Sequence, residues 1–364
     1  MSNWSLMDVR LSIPDAAIGS EWRELASRSL IASGHNAPEL LLPAFKRCSR
    51  AILATVRDSE GLQLALALTP RRLPLRFHAS LSTPVNFHGL PHLGRYQAAS
   101  AMLAMLHHLN QPVLLHSVPM DSAIWDVVTG AAVHVRVLNQ WDRAVLRPKG
   151  TYANWFETNF EAKRRREYRR QRARLAELGK LEALSFRAGD DARTWTTEFL
   201  DLEARGWKGK RGTALKSDGG IAETLVESLS GLAEAGKLRF WKLALDGRPI
   251  AMLFAIVEGT EAWLGKIAHD EGLSRFSPGV QMVLHATEQM FAEGIASADS
   301  CAGPDHPMMN HLWRGRLRVA DVMIAAPAVG RATFTLTAGA ERLRRSLRAL
   351  AKAAYFRMIG GKRH

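Results

Sequence analysis

The stretch from residue 261 to residue 299 constrains the fold more than any other. Residues 261–269 read as a strand, with Trp263 and Ile267 set among short apolar residues and few breakers. A loop follows, and Ser277-Pro278-Gly279 then opens a helical pattern. Val280, Val283, Leu284, Thr287 and Phe291 recur at helical spacing and form one core-facing stripe. The Ser277 hydroxyl is expected to cap this helix, and Pro278 suits its first position, where a missing N–H is no loss. Gly279 lets a ligand or another backbone come close. A short strand ending at Asp299 completes the unit. A glycine-bearing turn at a helix N-terminus offers free amides and a positive dipole end, which suits an anion such as a pyrophosphate. Such turns also simply start helices, and the residues by themselves leave both readings open.

The rest of the chain repeats the same vocabulary. Residues 21–33 read as a helix, and Asp58-Ser59-Glu60-Gly61 joins two apolar runs in a hairpin. A helix over 96–109, a strand over 113–118, a short helix over 123–128 and a strand over 133–138 follow. The second half is expected to open with one long helix over 152–178. A strand over 181–186 and helices over 194–205 and 217–235 come next, and Asp246-Gly247 turns a second hairpin. Residues 317–325 are a last strand and 338–358 a basic helix. The halves share the order helix, hairpin, strand, helix, strand, as two α/β units of about 150 residues would. Their hairpins require mixed sheets.

Composition bounds the function. The formal charge of +14 asks for an anionic partner: a polyanion, a membrane surface or an acidic small molecule. Cys48 and Cys301 are the only cysteines, so no disulfide framework is expected and a reducing cytoplasm fits. The N-terminus lacks a basic start and an apolar core, and no apolar run reaches the ~20 residues that span a bilayer. His88 and His92 are separated by Gly89 and Pro91, and His306 and His311 fall on different helical sides, so no metal site is expected. Neither a Ser/His/Asp nor a Cys/His nucleophile pattern appears.

Two basic segments stand out. Residues 163–174 carry Arg165, Arg169 and Arg172 on one helical face, with Tyr168 and Leu175 continuing an apolar stripe from Phe156 and Phe160. This face reads as a nucleic-acid contact, or as a solvated face that lines a site for an acidic ligand. In the tail, Leu343, Leu347 and Leu350 align among arginines. Such a helix lies on an anionic membrane or packs back on the body.

Residues 266–313 resemble the CelD-like branch of the GNAT acyltransferase superfamily, related also to FemAB-type aminoacyl transferases, and the resemblance extends over roughly residues 150–325. The resemblance rests on Asp246-Gly247-Arg248-Pro249-Ile250-Ala251 in the hairpin, Lys266 on the next strand and Ser277-Pro278-Gly279 at the helix start. Gly294 then precedes a strand bearing Asp299, a basic helix spans Arg165 to Arg174, and Trp207-Lys208 ends the following helix. The final motif keeps Gly303 and Trp313 but has Met309-Asn310 where the family carries Tyr-Lys, so this chain has no lysine at that position.

The resemblance implies two GNAT-like lobes of α/β (α+β) class, each a mixed, largely antiparallel sheet flanked by helices. Residues 1–150 would form a degenerate lobe, 151–328 the transferase lobe and 329–364 a basic helical tail. It implies transfer of an acyl group from acyl-CoA, without a metal, to a small-molecule, glycan- or lipid-linked acceptor in polysaccharide or envelope metabolism. Arg275, Ser277, Gly279 and Val280 would hold the pyrophosphate. Asp299, and after it His269, would take the acceptor's proton. Lys266, Trp207, Lys208, Trp313, Arg165 and Arg169 would contact substrate; Lys266 equally fits a pair with Asp299 or a surface position. Two alternatives remain. One is an aminoacyl-tRNA-dependent transferase in which the arginine helix meets tRNA. The other is a non-catalytic RNA- or membrane-binding protein on a relict fold. The expected place is the cytoplasm, with peripheral contact at the inner face of the membrane through the tail.

Overall fold

The computed structural model describes the chain except residues 1–2, 73–74, 84–88, 133, 207–208, 210–211, 305 and 361–364. The first half runs β1 (Asp8–Ser12), α1 (Ala16–Ser27), α2 (Pro38–Arg47), β2 (Ile52–Asp58), β3 (Gly61–Arg72), β4 (Arg76–Ser80) and β5 (His92–Leu93). It continues with α3 (Ala98–Leu109), β6 (Val113–Pro119), α4 (Ala123–Ala131) and β7 (His134–Leu146). The second half runs α5 (Tyr152–Asn159), α6 (Ala162–Ala176), β8 (Leu181–Ser185), α7 (Ala192–Arg205), α8 (Gly219–Glu234), β9 (Leu238–Leu245), β10 (Arg248–Glu258) and β11 (Glu261–His269). It closes with α9 (Pro278–Ala292), β12 (Ser297–Asp299), α10 (Pro307–Leu312), β13 (Gly315–Ala325) and α11 (Arg331–Gly360).

The strands form one mixed, mostly antiparallel sheet in the order β1-β2-β3-β4-β6-β13-β7-β12-β11-β10-β9-β8, with β5 beside β3. The parallel neighbours are β4 with β6 and β11 with β12. The last strand, β13, does not stay beside the strands that precede it. It inserts between β6 and β7, while β7 pairs with β12 of the second half. The chain therefore ties its two halves through the middle of the sheet.

Alternation along the strands buries both faces, as a period of two requires. In the second half Trp241, Leu253 and Ala255 pack under α5, α6 and α9, while Phe240, Phe254 and Ile256 pack against Phe199 of α7 and Leu229 of α8. In the first half Leu64, Leu66, Val113 and Val322 meet α3, and Leu53 and Ala65 meet Trp22 of α1 and Leu41 of α2. Phe334 and Ala338 of α11 cover Leu114 and Met323. The Asp246-Gly247 turn forms as expected, with φ of 49° and 77° at its two residues.

The single helix expected over 152–178 is two. Phe160 is extended at φ −123° and ψ 143°, and Glu161 starts α6 afresh. The break has a physical cause: buried Asn159 donates its amide to the Leu312 carbonyl at 2.9 Å, and Phe160 turns into a cluster with Trp155, Phe156 and Tyr168.

Candidate active site

The site begins where β11 leaves its neighbour. β11 and β12 pair only from Glu261↔Ser297 to Trp263↔Asp299, yet β11 continues to His269. On its other side the register slips: Leu253 faces Ile267 and Ala255 faces Leu264. One residue of β10, Phe254, thus opposes two of β11, Gly265 and Lys266. Such a bulge bends its strand. Gly265 is required there, since a Cβ would stand 1.9 Å from the Phe254 ring. The outcome is a strand edge from Leu264 onward that no other strand covers among the described residues.

That edge leads to the turn before α9. A 3-10 segment, Glu271–Phe276, brings the chain to Ser277 at φ 52°, and Pro278 starts the helix. The expected side-chain cap is not made: in its left-handed conformation Ser277 caps no amide. The first amides of α9 are therefore left to other acceptors. Gly279 is buried, and a Cβ there would lie 3.3 Å from Nδ1 of His269. Exposed His269 closes over this glycine, and exposed Arg275 lays its guanidinium 4.6 Å from the Phe276 ring centroid. Gly265 and His269 are about 13 Å apart along an extended strand, so β11 links the turn to the bulge.

At the bulge a cavity of about 520 Å³ opens in the middle of the sheet, walled by both halves. Lys266 and Ile267 line it from β11, Met309 and His306 from the α10 region, and Trp141 and Arg143 from β7. A second bulge supplies His116 and Ser117. Ala320 pairs with Val118 and Val322 with Leu115, so Asp321 faces two residues of β6. Ser117, at φ 55°, donates its amide to Asp321 at 2.9 Å. His116 Nδ1 lies 2.9 Å from Ser80 Oγ. Burial lowers the His116 pKa from its ordinary value, with Asp321 opposing the shift and Arg345 adding to it. The ring is thus neutral at neutral pH and able to accept a proton. The indole N–H of Trp141 is buried and has no hydrogen-bond partner among the described residues. Sequence reading missed His116, Trp141, Arg143 and Asp321, because only the two bulges and the crossing of β13 gather them.

Asp299 ends β12 as expected but stands behind the cavity wall. Its Oδ2 lies 2.6 Å from Nη2 of Arg143, and Oδ1 accepts the Cys301 amide at 2.8 Å. Arg143 is 1% exposed and Asp299 5%. Burial raises the Asp299 pKa, while Arg143 and the Cys301 amide hold it down. Cys301 lines the cavity with Sγ 3.2 Å from His35 Nε2, and burial raises its thiol pKa well above the ordinary value, so it stays protonated. Asp299 and His269 are not brought to one cavity: His269 lines a small cleft with Leu202, Glu203 and Glu271.

The remaining residues fall elsewhere. Trp313 is buried and donates its indole N–H to Thr287 at 3.1 Å. Arg165 and Arg169 both reach Glu157, at 2.9 and 2.8 Å, and Arg165 also bonds the Phe160 carbonyl. Trp207, Lys208 and His88 lie outside the described residues. Among the described residues no group of three His, Cys, Asp or Glu side chains could hold a metal ion, and no helix is long and apolar enough to cross a membrane.

Comparison with known proteins places the fold. Residues 162–306 match a family described as an acetyltransferase (GNAT) domain. No curated protein matches the chain. Among solved structures, FemX superposes with a TM-score of 0.60 at 9% identity, covering 88% of this chain and 98% of FemX. L-PGS from Bacillus licheniformis superposes with a TM-score of 0.55 at 10% identity, covering 90% of this chain and 98% of that one. The C-terminal domain of a putative lysylphosphatidylglycerol synthetase from Agrobacterium fabrum gives 0.54 at 10% identity, with 89% and 95% covered. At these identities the likeness is one of fold. The chain has a mixed α/β fold that superposes on these structures over both halves, and the match to the acetyltransferase (GNAT) domain lies within residues 162–306.

Proposed function

We propose that this protein is an acyltransferase of the CelD-like kind, moving an acyl group, acetyl in the simplest case, from acyl-CoA to an amine or hydroxyl acceptor in carbohydrate or envelope chemistry. The observation that carries the reading is the β11 edge, which leaves β12 beside the cavity and ends at the uncapped first turn of α9. The amides of Gly279 and Val280, with the Arg275 guanidinium, are suited to the pyrophosphate. Backbone groups on β11 around Gly265–Ile267 lie where a thioester carbonyl would be polarised. Trp141 offers one further donor from the opposite wall. The acceptor nitrogen or oxygen bonds the acyl carbon, the C–S bond breaks, and His116 takes the acceptor's proton and passes it on to the CoA sulfur. Lys266 stands where an anionic group of the acceptor can meet it. Arg143, held by Asp299, fixes the wall between the halves. In this reading Asp299 positions Arg143 and does not itself move the proton.

A second reading takes aminoacyl-tRNA as the donor. It is favoured by exposed Arg166, Arg172 and Arg174 on α6, which form no ion pair among the described residues. Side-by-side titration of the full chain with acetyl-CoA and with aminoacyl-tRNA separates the two. We expect saturable acetyl-CoA binding. Tight tRNA binding that falls steeply with salt, without acetyl-CoA binding, would favour the second reading and overturn the first.

A further inference from the structure

The inner face of α11 changes character along its length. Phe334 and Ala338 pack with Leu114 and Met323 of the sheet. Further on, the same face carries Glu341 and then Arg344, Arg345 and Arg348, at spacings that keep them on one side of a helix. Glu341 is 1% exposed and binds Arg344 at 2.6 Å and Arg345 at 2.9 Å, and Arg345 also pairs with Asp321. These pairs fix the rotation of the helix, so that Arg344 and Arg348 stand opposite the end of β3.

Between that face and the sheet lies a pocket of about 630 Å³. Its floor is apolar: buried Phe77 and Ala79 of β4 and Leu114 of β6. Its rim is cationic, with Arg71 and Arg72 from the end of β3, Arg50 from before β2, and Arg344 and Arg348 from α11. Arg50, Arg71, Arg72 and Arg348 form no ion pair with any described carboxylate, and all four are exposed. Among the described residues, Glu341 is the acidic group of the pocket, and Arg344 and Arg345 already engage it. Guanidiniums gathered round one concavity repel one another, and a bound anion relieves that repulsion. Their planar forks match phosphate oxygens two at a time.

His116 joins this pocket to the site already described, because it lines both the pocket and the cavity at the bulge. In the register of β3, β4 and β6, Arg71 faces Phe77 and Ala79 faces Leu114. His116 is therefore four residues along and two strands across from Arg71, about 13 Å by about 10 Å. Both side chains line the one pocket, which shortens the gap to the length of a small phosphorylated molecule.

We propose that this pocket binds a phosphate group carried by the acyl acceptor, held among Arg71, Arg72 and Arg348 while the acceptor's nucleophilic end reaches His116. The acceptor's role rests on the acyl-transfer reading above, to which the pocket adds a substrate class: an amine or alcohol that bears a phosphate. Donor and acceptor phosphates are then held in different halves of the sheet, and the reacting ends meet in the cavity between them. An anion in the pocket opposes Arg71 and Arg345, which lower the His116 pKa, and acts with Asp321 and Glu341, which raise it. Occupancy therefore makes His116 a better base for the acceptor it accompanies.

The test is isothermal titration of the full chain with inorganic pyrophosphate in the presence of excess CoA, with the His116 ring followed by NMR. Saturable binding that weakens as salt rises is expected, together with a raised His116 pKa. Arg71→Gln/Arg348→Gln, at two exposed positions, should weaken pyrophosphate binding by at least roughly tenfold and leave acetyl-CoA binding unchanged. Circular dichroism establishes that the variant is folded. Glucosamine 6-phosphate and dihexanoyl phosphatidic acid are then set to compete with pyrophosphate. The stronger competitor shows whether the phosphate arrives on a soluble sugar or on a lipid, and glucosamine itself should not compete. No pyrophosphate binding, equal binding by the double variant, or binding that leaves the His116 titration unmoved overturns the proposal. So does a parallel loss of acetyl-CoA affinity in the double variant, since the pocket would then hold the donor. Wild type that binds pyrophosphate in this way but binds no acetyl-CoA would overturn the acyl-transfer reading and leave the phosphate site in place.

Discussion

Replacing Asp299 by Asn tests how the centre of the sheet is held. The perturbation keeps shape and an acceptor for the Cys301 amide but removes the charge that faces a guanidinium 1% exposed. With the closest atoms 2.6 Å apart, charge centres about 4 Å apart at an effective dielectric of about 20 attract by about 4 kcal/mol. Breaking a buried pair from one side costs about 3–5 kcal/mol, because the remaining charge keeps its desolvation penalty. Urea unfolding of Asp299→Asn at neutral pH should therefore lose about 3–4 kcal/mol. The double variant Arg143→Met/Asp299→Asn should recover part of that loss, since neither charge is then buried. A single variant within about 0.5 kcal/mol of wild type, or a double variant worse than the single, would refute the reasoning. Full stability with a turnover loss of roughly 10²–10⁴ would instead make Asp299 a general base.

Two predictions concern protonation. His92 accepts the buried Trp22 indole N–H at 2.8 Å, and burial, with Lys237 adding to it, lowers its pKa to about 3; burial and Arg172 lower His285 to about 4. Below the ordinary value of 6.5 the unfolded chain takes up protons that the folded chain refuses. Their stability contribution is full above that pH and is lost as pH falls toward these folded values, by roughly 1.4 kcal/mol per unit and site. The denaturation midpoint should drop across that window, and drop less in His92→Gln; equal slopes would contradict the assignment. By NMR, His116 should titrate below 6.5, and Asp321→Asn should lower it further by removing the charge that raises it. A rise in that variant would place Asp321 away from the ring.

Much of the second half was legible because its signals are local. Asp246-Gly247 demands positive φ at both residues, Pro278 fixes a helix start, and the alternation of residues 238–257 shows two buried faces. Ser277 misled because a hydroxyl before a proline can cap only from an extended backbone, and the preceding 3-10 turn delivers it left-handed instead. The break after Asn159 depends on a carbonyl from α10, which no local pattern reveals. The same holds for the cavity wall. Arg143 meets Asp299 only because β7 pairs with β12, and His116 meets Asp321 only because β13 crosses back into the first half. Long-range register made this part of the site, and residue spacing does not record it.

The central claim is that acyl-CoA seats its pyrophosphate at the turn that starts α9. Isothermal titration of acetyl-CoA into wild type and Gly279→Asp tests it most directly. The substitution puts a carboxylate among the first amides of the helix, with the new Cβ 3.3 Å from the exposed His269 ring. The account predicts saturable wild-type binding and an affinity at least roughly tenfold lower in the folded variant, about 1.4 kcal/mol. A folded Gly279→Asp variant that binds acetyl-CoA as wild type does would contradict it, and the turn would be no more than the start of a helix.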